Sequence, residues 1–501
     1  MTWLDQVYLH TILPVESRAQ FSVSVDLAWN AMNTASNTPR AMALVRVAGA
    51  AFVLAAAMHV TGCSYLEMVQ RHRRLRDAFE QQPRLGLVQE FAPEQCLQIV
   101  GGLHSDPNRD EPLAIIALSQ QYARNEVVGW RMVPGSVGYY SVLLPEGHYD
   151  LLVLADLNRD GVFGGDEVVG RTPPGTPFAV DRLRAADGFL LDGPALRLDY
   201  EHPSVEDLPV PIKVAVNSQV MTSLDDDFFD PGYGVMGLYN PSKFLEHTQG
   251  YLFGLEPLDE DKTQVLFVHG VTGTPRDWKF LVDGIDRSRF QPWFFFYPAG
   301  LPLDRTGAIL AQLIQHLATG PRFKLQRLVV VAHSMGGLVA RSALQRLSAP
   351  RTPAYLKMYV SLSTPYGGHD AAGAAEKHAS EVVPSWHDLA PGSPYLRALT
   401  ATPLPADLPF FLLFSYGNPA RLQYGPSSDG VVTMRSELDL AVHLQATRSY
   451  GFDVSHTGIL DSAAVRDLFN QLIAPAAPPQ DILHGSLGVV KRVLTLPSGG
   501  P

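Results

Sequence analysis

The segment Leu328-Val329-Val330-Val331-Ala332-His333-Ser334-Met335-Gly336-Gly337-Leu338-Val339-Ala340-Arg341 leaves the chain few conformational options. Its first five residues are apolar and mostly β-branched, which predicts a buried central strand, and apolar positions at helical spacing from Leu338 to Leu347 predict a helix. Only a very tight turn fits between them. Such a turn lifts one side chain clear of the sheet and needs small residues beside it, so that strand and helix can approach closely. The lifted side chain is Ser334, with Ala332 and Gly336 as its small neighbours.

Ala-His-Ser-Met-Gly-Gly resembles the variant nucleophile elbow of many bacterial lipases and esterases of the α/β-hydrolase family, with Ala332 where the first glycine usually stands. The flanking sequence carries a matching alternation. Strands are expected at Gln264–His269, Pro292–Tyr297, Leu328–Ala332, Lys357–Leu362 and Phe410–Ser415, with helices at Trp278–Ile285, Ala308–Leu317 and after Ser334. Alternation of this kind predicts a mostly parallel sheet wrapped by helices, with active residues at the carboxyl ends of its strands. The expected hydrolase domain spans 251–475, followed by a C-terminal tail over 476–501.

A serine hydroxyl becomes a useful nucleophile only when a base takes its proton, and that base must be oriented by an acid. The resemblance implies the order nucleophile, acid, histidine, from loops after later strands. Asp429, in Ser427-Ser428-Asp429-Gly430, follows the Phe410–Ser415 strand and is the expected acid, with Asp388 and Asp453 as alternatives. His456, in Asp453-Val454-Ser455-His456-Thr457-Gly458, stands in a loop before the last helix and is the expected base. His443 competes, although Leu440-Ala441-Val442-His443-Leu444 reads as an amphipathic packing segment. His333 is adjacent to the nucleophile and points into the elbow.

An oxyanion needs two backbone N–H groups aimed at it. Met335, directly after the nucleophile, is one expected donor. Val268-His269-Gly270-Val271-Thr272-Gly273 resembles the His-Gly oxyanion loop of lipases and implies Val271 as the other. Ser361-Leu362-Ser363-Thr364-Pro365-Tyr366-Gly367-Gly368 resembles a segment that recurs in lipase-like hydrolases. The piece from His369 to Leu399, with Trp386, Leu389 and Leu396, reads either as a lid or as ordinary packing.

The chain has 501 residues, too many for one ordinary domain. Its net charge of −11 argues against a nucleic-acid partner, because phosphate binding needs a basic face. The apolar run Val47 to Val60 follows Arg40 and Arg46 and has the length of an export signal's hydrophobic region. Val60-Thr61-Gly62-Cys63 resembles a bacterial lipobox, which implies lipidation of Cys63 and attachment to a membrane. Ser64 after the cysteine implies the outer membrane. Residues 42–62 are thus expected to be a signal peptide starting at Met42, and 1–41 an upstream extension without fixed structure. With only Cys63 and Cys96, a disulfide framework is excluded. Residues 63–95 read as an anchor-proximal helical linker, helical from Tyr65 to Glu80.

From 96 to 200, short apolar or alternating runs (Leu97–Val100, Leu113–Leu118, Tyr139–Leu144, Tyr149–Ala155, Ala195–Leu198) separated by Pro and Gly turns predict a small β-sandwich. Inside it Asp156, Asn158, Asp160, the carbonyl of Val162 and Glu167 fall at loop positions one, three, five, seven and twelve, with Gly161 at six. That is the spacing at which oxygens converge on a Ca2+. The strand-like Tyr149–Leu154 entering it excludes a regular EF-hand, so a structural Ca2+ in a loop between strands, or an acidic turn without metal, is expected. Residues 201–250 read as a connecting segment whose part from Leu238-Tyr239-Asn240-Pro241 to Phe244-Leu245 is expected to dock on the hydrolase, and Asp225-Asp226-Asp227 as a solvated run or a second cation site.

The sequence therefore points to a lipid-anchored serine hydrolase of hydrophobic carboxylic esters that needs no cofactor for catalysis. It most resembles the lipase and GPI-inositol-deacylase-like branch of the family. An amidase or thioesterase would use the same triad. A binding lipoprotein of the cell envelope with an inactive hydrolase unit is the reading of a different class.

Overall fold

A computed structural model describes residues 64–73 and 96–474, apart from 105, 107–108, 110, 120–125, 134–137, 160–161, 186–188, 205–211, 214–222, 249–251, 257, 320–324, 350 and 418–426. The expected extension, the signal segment, Cys63 and the C-terminal tail lie outside the described residues. Among the described residues no helix is long and apolar enough to cross a membrane.

Two sheets form from 97 to 198. In one, Leu97–His104 pairs antiparallel with Tyr139–Leu144 and parallel with Leu190–Asp192 and Leu196–Arg197. In the other, Leu113–Ser119 lies between Glu126–Val133 and Gly147–Ala155, which also pairs with Val168–Arg171 and Phe178–Val180. Strand side chains alternate between faces, and the core follows that period. Leu113, Ile115, Leu151 and Val153 meet Leu97, Ile99, Tyr140 and Val142 in one cluster, whereas Ile116, Leu152 and Leu154 turn to Phe163 and Val168. Glu126–Val133 carries Gly129 in its middle, which hid it from the pattern.

The larger sheet contains β1 (Leu252–Gly254), β2 (Thr263–Val268), β3 (Phe290–Phe295), β4 (Leu328–His333), β5 (Leu356–Leu362), β6 (Phe410–Ser415) and β7 (Arg448–Phe452). Their spatial order is β1-β3-β2-β4-β5-β6-β7, with only β1 antiparallel to its neighbour. The α/β class and the mostly parallel sheet agree with the sequence. Every residue of the central β4 is buried, as a strand covered by helices on both faces requires. The edge strands β1 and β7 escaped sequence reading: one has three residues, and the other, Arg-Ser-Tyr-Gly-Phe, is half-buried throughout and lacks an apolar run.

Two expectations change. The helix expected over Trp278–Ile285 is a 3-10 turn, Pro275–Trp278, followed by a single α turn, Lys279–Val282. The docking expected of Leu238 to Leu245 is seen, but the stretch is not mere connecting chain: α1 (Pro231–Tyr239) and α2 (Pro241–Thr248) bury Leu238, Tyr239, Phe244 and Leu245 in the core of the larger sheet. Phe229 anchors this piece in an aromatic cluster with Phe228, Phe253, Phe294 and Phe296. The helix over 64–73 packs beside it, burying Met68 and Val69, with Tyr65 stacked on Trp386 and Arg71 donating to Tyr239 O.

The helix Leu303–Thr319 joins the two sheet systems. Arg305 donates to Cys96 O at 2.8 Å and lies over the Phe189 ring, and Gln312 donates to Asp192 Oδ1 at 2.7 Å.

Candidate active site

Ser334 sits between β4 and the helix Met335–Leu347 at φ 53, ψ −131. For a residue with a Cβ this is strained backbone, which persists only where its surroundings over-determine it. Here they do. The Ser334 N–H donates to Leu362 O at 2.9 Å, and β4 is paired along its length on both sides. Gly336 allows the helix to close on β2, because a Cβ there would lie 2.2 Å from His269 O.

The three residues read as a triad meet at the carboxyl end of the sheet. His456 Nε2 is 2.9 Å from Ser334 Oγ, and His456 Nδ1 is 2.5 Å from Asp429 Oδ2. All three are buried. Asp429 is densely hydrogen-bonded: Oδ1 accepts from the N–H groups of Val431 and Val432, and Oδ2 accepts from Ser415 Oγ at 2.9 Å as well as from His456. Burial pushes its carboxyl up, but the His456 bond and charge, with the two N–H groups, outweigh burial and hold it well below the usual carboxylate range.

The turn after β2 faces Ser334. Among the described residues, neither the Val271 nor the Met335 N–H has a hydrogen-bond partner, so both remain available to an oxyanion. Thr272, at φ 54, bends this turn. Its far side rests on α1 so tightly that a Cβ on Gly234 would fall 1.9 Å from Thr272 O. Tyr297 fixes its start, with its hydroxyl donating to His269 O and its N–H to His269 Nε2.

The other candidates lie elsewhere. Asp388 accepts the N–H of Leu303 at the start of that helix, and His443 pairs with Ser449. No hydrogen bond draws Asp453 to the triad among the described residues. In the acidic loop Asp156 and Glu167 are buried, and the loop runs from the strand Gly147–Ala155 to the two-residue strand Val162–Phe163. Glu167 Oε1 accepts from Leu157 and Asn158, and Oε2 from Gly164. Asp160 lies outside the described residues. The Trp386 region does not hang free: Leu389, Leu396 and Leu399 belong to the core.

Sequence reading missed the shell behind the triad. His333, already set aside as a base by its place next to Ser334, donates its Nε2–H to His456 O at 3.0 Å and so holds the histidine loop. Ser415, the last residue of β6, and Glu437, in the short helix Met434–Glu437, are buried beside Asp429. A polar residue ending an apolar strand was the available signal for Ser415. Glu437 had none.

A family model described as "Putative serine esterase (DUF676)" matches residues 303–377, which include Ser334. No curated protein matches the chain in sequence. Among solved structures, the chain is similar to lipase BlEst2 of Bacillus licheniformis in its mature form, at 18% identity over 44% of this chain and 97% of that one, with a TM-score of 0.35. It is also similar to the lin2722 gene product of Listeria innocua (14% identity, 44% of this chain and 96% of that one, TM-score 0.34). A third is phospholipase PlaB from Legionella pneumophila (16% identity, 35% and 45%, TM-score 0.28). The family match supports an ester hydrolase; the chemistry of the site rests on its own geometry.

Two buried histidines give a pH dependence. Burial lowers the His269 ring to about 4, against weaker opposition from its bond to Gly270 O. Burial and then the His456 charge lower His333 to about 3. At neutral pH both rings are neutral, folded or unfolded, and contribute nothing. Below the ordinary value of 6.5 the unfolded chain takes protons that the folded protein refuses. These two rings therefore withdraw stability as pH falls from 6.5 toward their lowered values, each by about 2 kcal/mol near pH 5. The buried carboxyls of Asp277, pushed up to about 6, and Glu437 contribute in the opposite sense. Asp429 adds a loss only below 3.8. Urea unfolding at neutral pH and near pH 5 isolates the His333 part: between the two pH values the wild type will lose about 2 kcal/mol relative to His333→Gln, which keeps an N–H for His456 O. An equal change in both proteins would refute the assignment.

Proposed function

We propose that this protein is a serine hydrolase of carboxylic esters with hydrophobic acyl groups, in the lipase and GPI-inositol-deacylase-like branch of the α/β-hydrolases. The observation that carries the reading is the unbroken relay from Ser334 Oγ through His456 to Asp429 at 2.9 and 2.5 Å. Ser334 Oγ attacks the ester carbon while its proton passes to His456 Nε2. The carbonyl oxygen, now an anion, lies against the N–H groups of Val271 and Met335. Asp429 keeps the imidazole in the Nδ1–H tautomer and stabilises it when charged. His456 then protonates the departing alcohol, leaving Ser334 acylated. In the second half, His456 takes a proton from water, whose oxygen attacks the acyl carbon, and returns it to Ser334 Oγ as the acyl–Oγ bond breaks and the acid leaves. No cofactor enters these steps.

The remaining parts of the reading concern place and support. The run from Val47 to Val60 and the lipobox-like Val60-Thr61-Gly62-Cys63 support a lipid anchor at Cys63 in a bacterial cell envelope, with Ser64 favouring the outer membrane. The two sheets over 97–198 are read as a β-sandwich appended to the hydrolase. Its loop from Asp156 to Glu167 is read as a structural Ca2+ site, and bidentate closure requires Glu167 Oε1 to exchange its bonds from Leu157 and Asn158 for the cation.

A fluorophosphonate probe will label the wild type and not Ser334→Ala; no labelling, or equal labelling of both, defeats catalysis through this serine. p-Nitrophenyl esters of graded acyl length will show preference for longer chains. Mass spectrometry of membrane-extracted protein will find acylated Cys63 at the mature N-terminus, whereas an intact leader with unmodified Cys63 removes the anchor. Calorimetric titration of the whole protein with Ca2+ will show saturable binding that Glu167→Gln weakens; silence at millimolar Ca2+ retires the metal.

A further inference from the structure

Behind Asp429 stands a second carboxyl group that the triad does not use. Glu437 is 1% exposed, and one ligand atom each from Asp429, Glu437 and His456 lies within 4.8 Å of the others. Glu437 Oε2 accepts the N–H of Ser415 at 3.0 Å, and Oε1 is buried without a partner of its own. Two ionised carboxylates so close and so dry repel strongly, and a single proton resolves the conflict. Asp429 already receives donors from His456, Ser415, Val431 and Val432. The proton therefore belongs on Glu437.

We propose that Glu437 is a positioning residue for the hydrolytic triad: a neutral carboxylic acid whose O–H donates to the Asp429 carboxylate and holds it on His456. The proposal rests on the triad reading given above. Burial, then the Asp429 charge and the hydrogen bond to it, push the Glu437 carboxyl well above its ordinary value, against the Ser415 N–H. The titratable groups around it are Asp429 and His456, with His333 and His369 beyond them.

The donated bond has two consequences. It withdraws charge from Asp429, so the proton shared with His456 stays on Nδ1 instead of crossing to the carboxylate. It also ties the helix Met434–Glu437 to the end of β6. Ser415 donates its N–H to Glu437 and its hydroxyl to Asp429, and Ser363 Oγ closes the set 2.6 Å from Ser415 Oγ. A cation bridging Asp429 and Glu437 is the competing arrangement, and it requires both carboxylates to be ionised.

Infrared difference spectra of wild type against Glu437→Gln at neutral pH test the proton directly. The expected result is a carboxylic C=O band belonging to Glu437; its absence, from two ionised carboxylates or a bridging cation, overturns the proposal. In p-nitrophenyl ester hydrolysis, Glu437→Ala will lower kcat on the order of tenfold with KM little changed. Glu437→Gln, which supplies an N–H to Asp429 and a carbonyl to Ser415, will recover most of that loss. If Glu437→Ala lowers only the unfolding midpoint and leaves kcat intact, the residue is structural and the proposal fails. Fluorophosphonate labelling separates the two readings. A labelled Ser334 without the infrared band removes Glu437 alone, whereas the band with an unlabelled Ser334 removes the triad and this role with it.

Discussion

The backbone of Ser334, held at φ 53, is the constraint on which the site depends. A left-handed serine costs on the order of 1–3 kcal/mol, and the cost is met by structure that cannot relax around it. β4 is locked between β2 and β5, and the following helix closes directly on the backbone of β2 through Gly336. That closure sets where the hydroxyl points and also where the Met335 N–H points, because both belong to the same turn. The Ser334 hydroxyl and the Met335 N–H are thus fixed by a single local geometry.

The rest of the site is arranged around that fixed point through buried polar groups, each with a defined protonation state. His269 must carry its proton on Nδ1, since Nε2 accepts the N–H of Tyr297 while Nδ1–H donates to Gly270 O. His333 must carry its proton on Nε2 to reach His456 O. Asp429 is ionised because four donors converge on it. Buried networks of this kind are stiff when every member is satisfied. Stiffness here serves position, because a hydroxyl and an imidazole held in one relative geometry supply much of what a hydrolase needs.

Support for the oxyanion turn comes from far away in sequence. α1 precedes β2 by more than a turn of chain, yet its Gly234 abuts Thr272 O, and the same helix is pinned by the aromatic cluster around Phe229 and by the helix over 64–73. The sheets over 97–198 attach at the other side, through Leu303–Thr319, the helix preceding β4. The hydrolase core is thereby braced on both flanks by chain that carries none of the triad.

Much of this was legible in the residues alone. β4, its turn and its helix are read locally, since a β-branched apolar run followed by Ser334 and Gly336 permits little else, and Asp429 and His456 follow from the order of their loops. What stayed hidden depends on contacts between distant segments. β7 has no pattern of its own because an edge strand is half-buried and borrows its place from β6. α1 reads as loop-like chain with three glycines and two prolines nearby, and only its packing against Thr272 gives those small residues a purpose. Glu437 looks like any surface glutamate in a short helix until the fold sets it beside Asp429. The sequence by itself determined the tight turn that lifts Ser334 and the inner strands of a mostly parallel sheet, because both follow from short-range sterics and periodicity. Tertiary structure alone decided which charges survive burial, because that depends on distances between groups that the chain brings together only when folded.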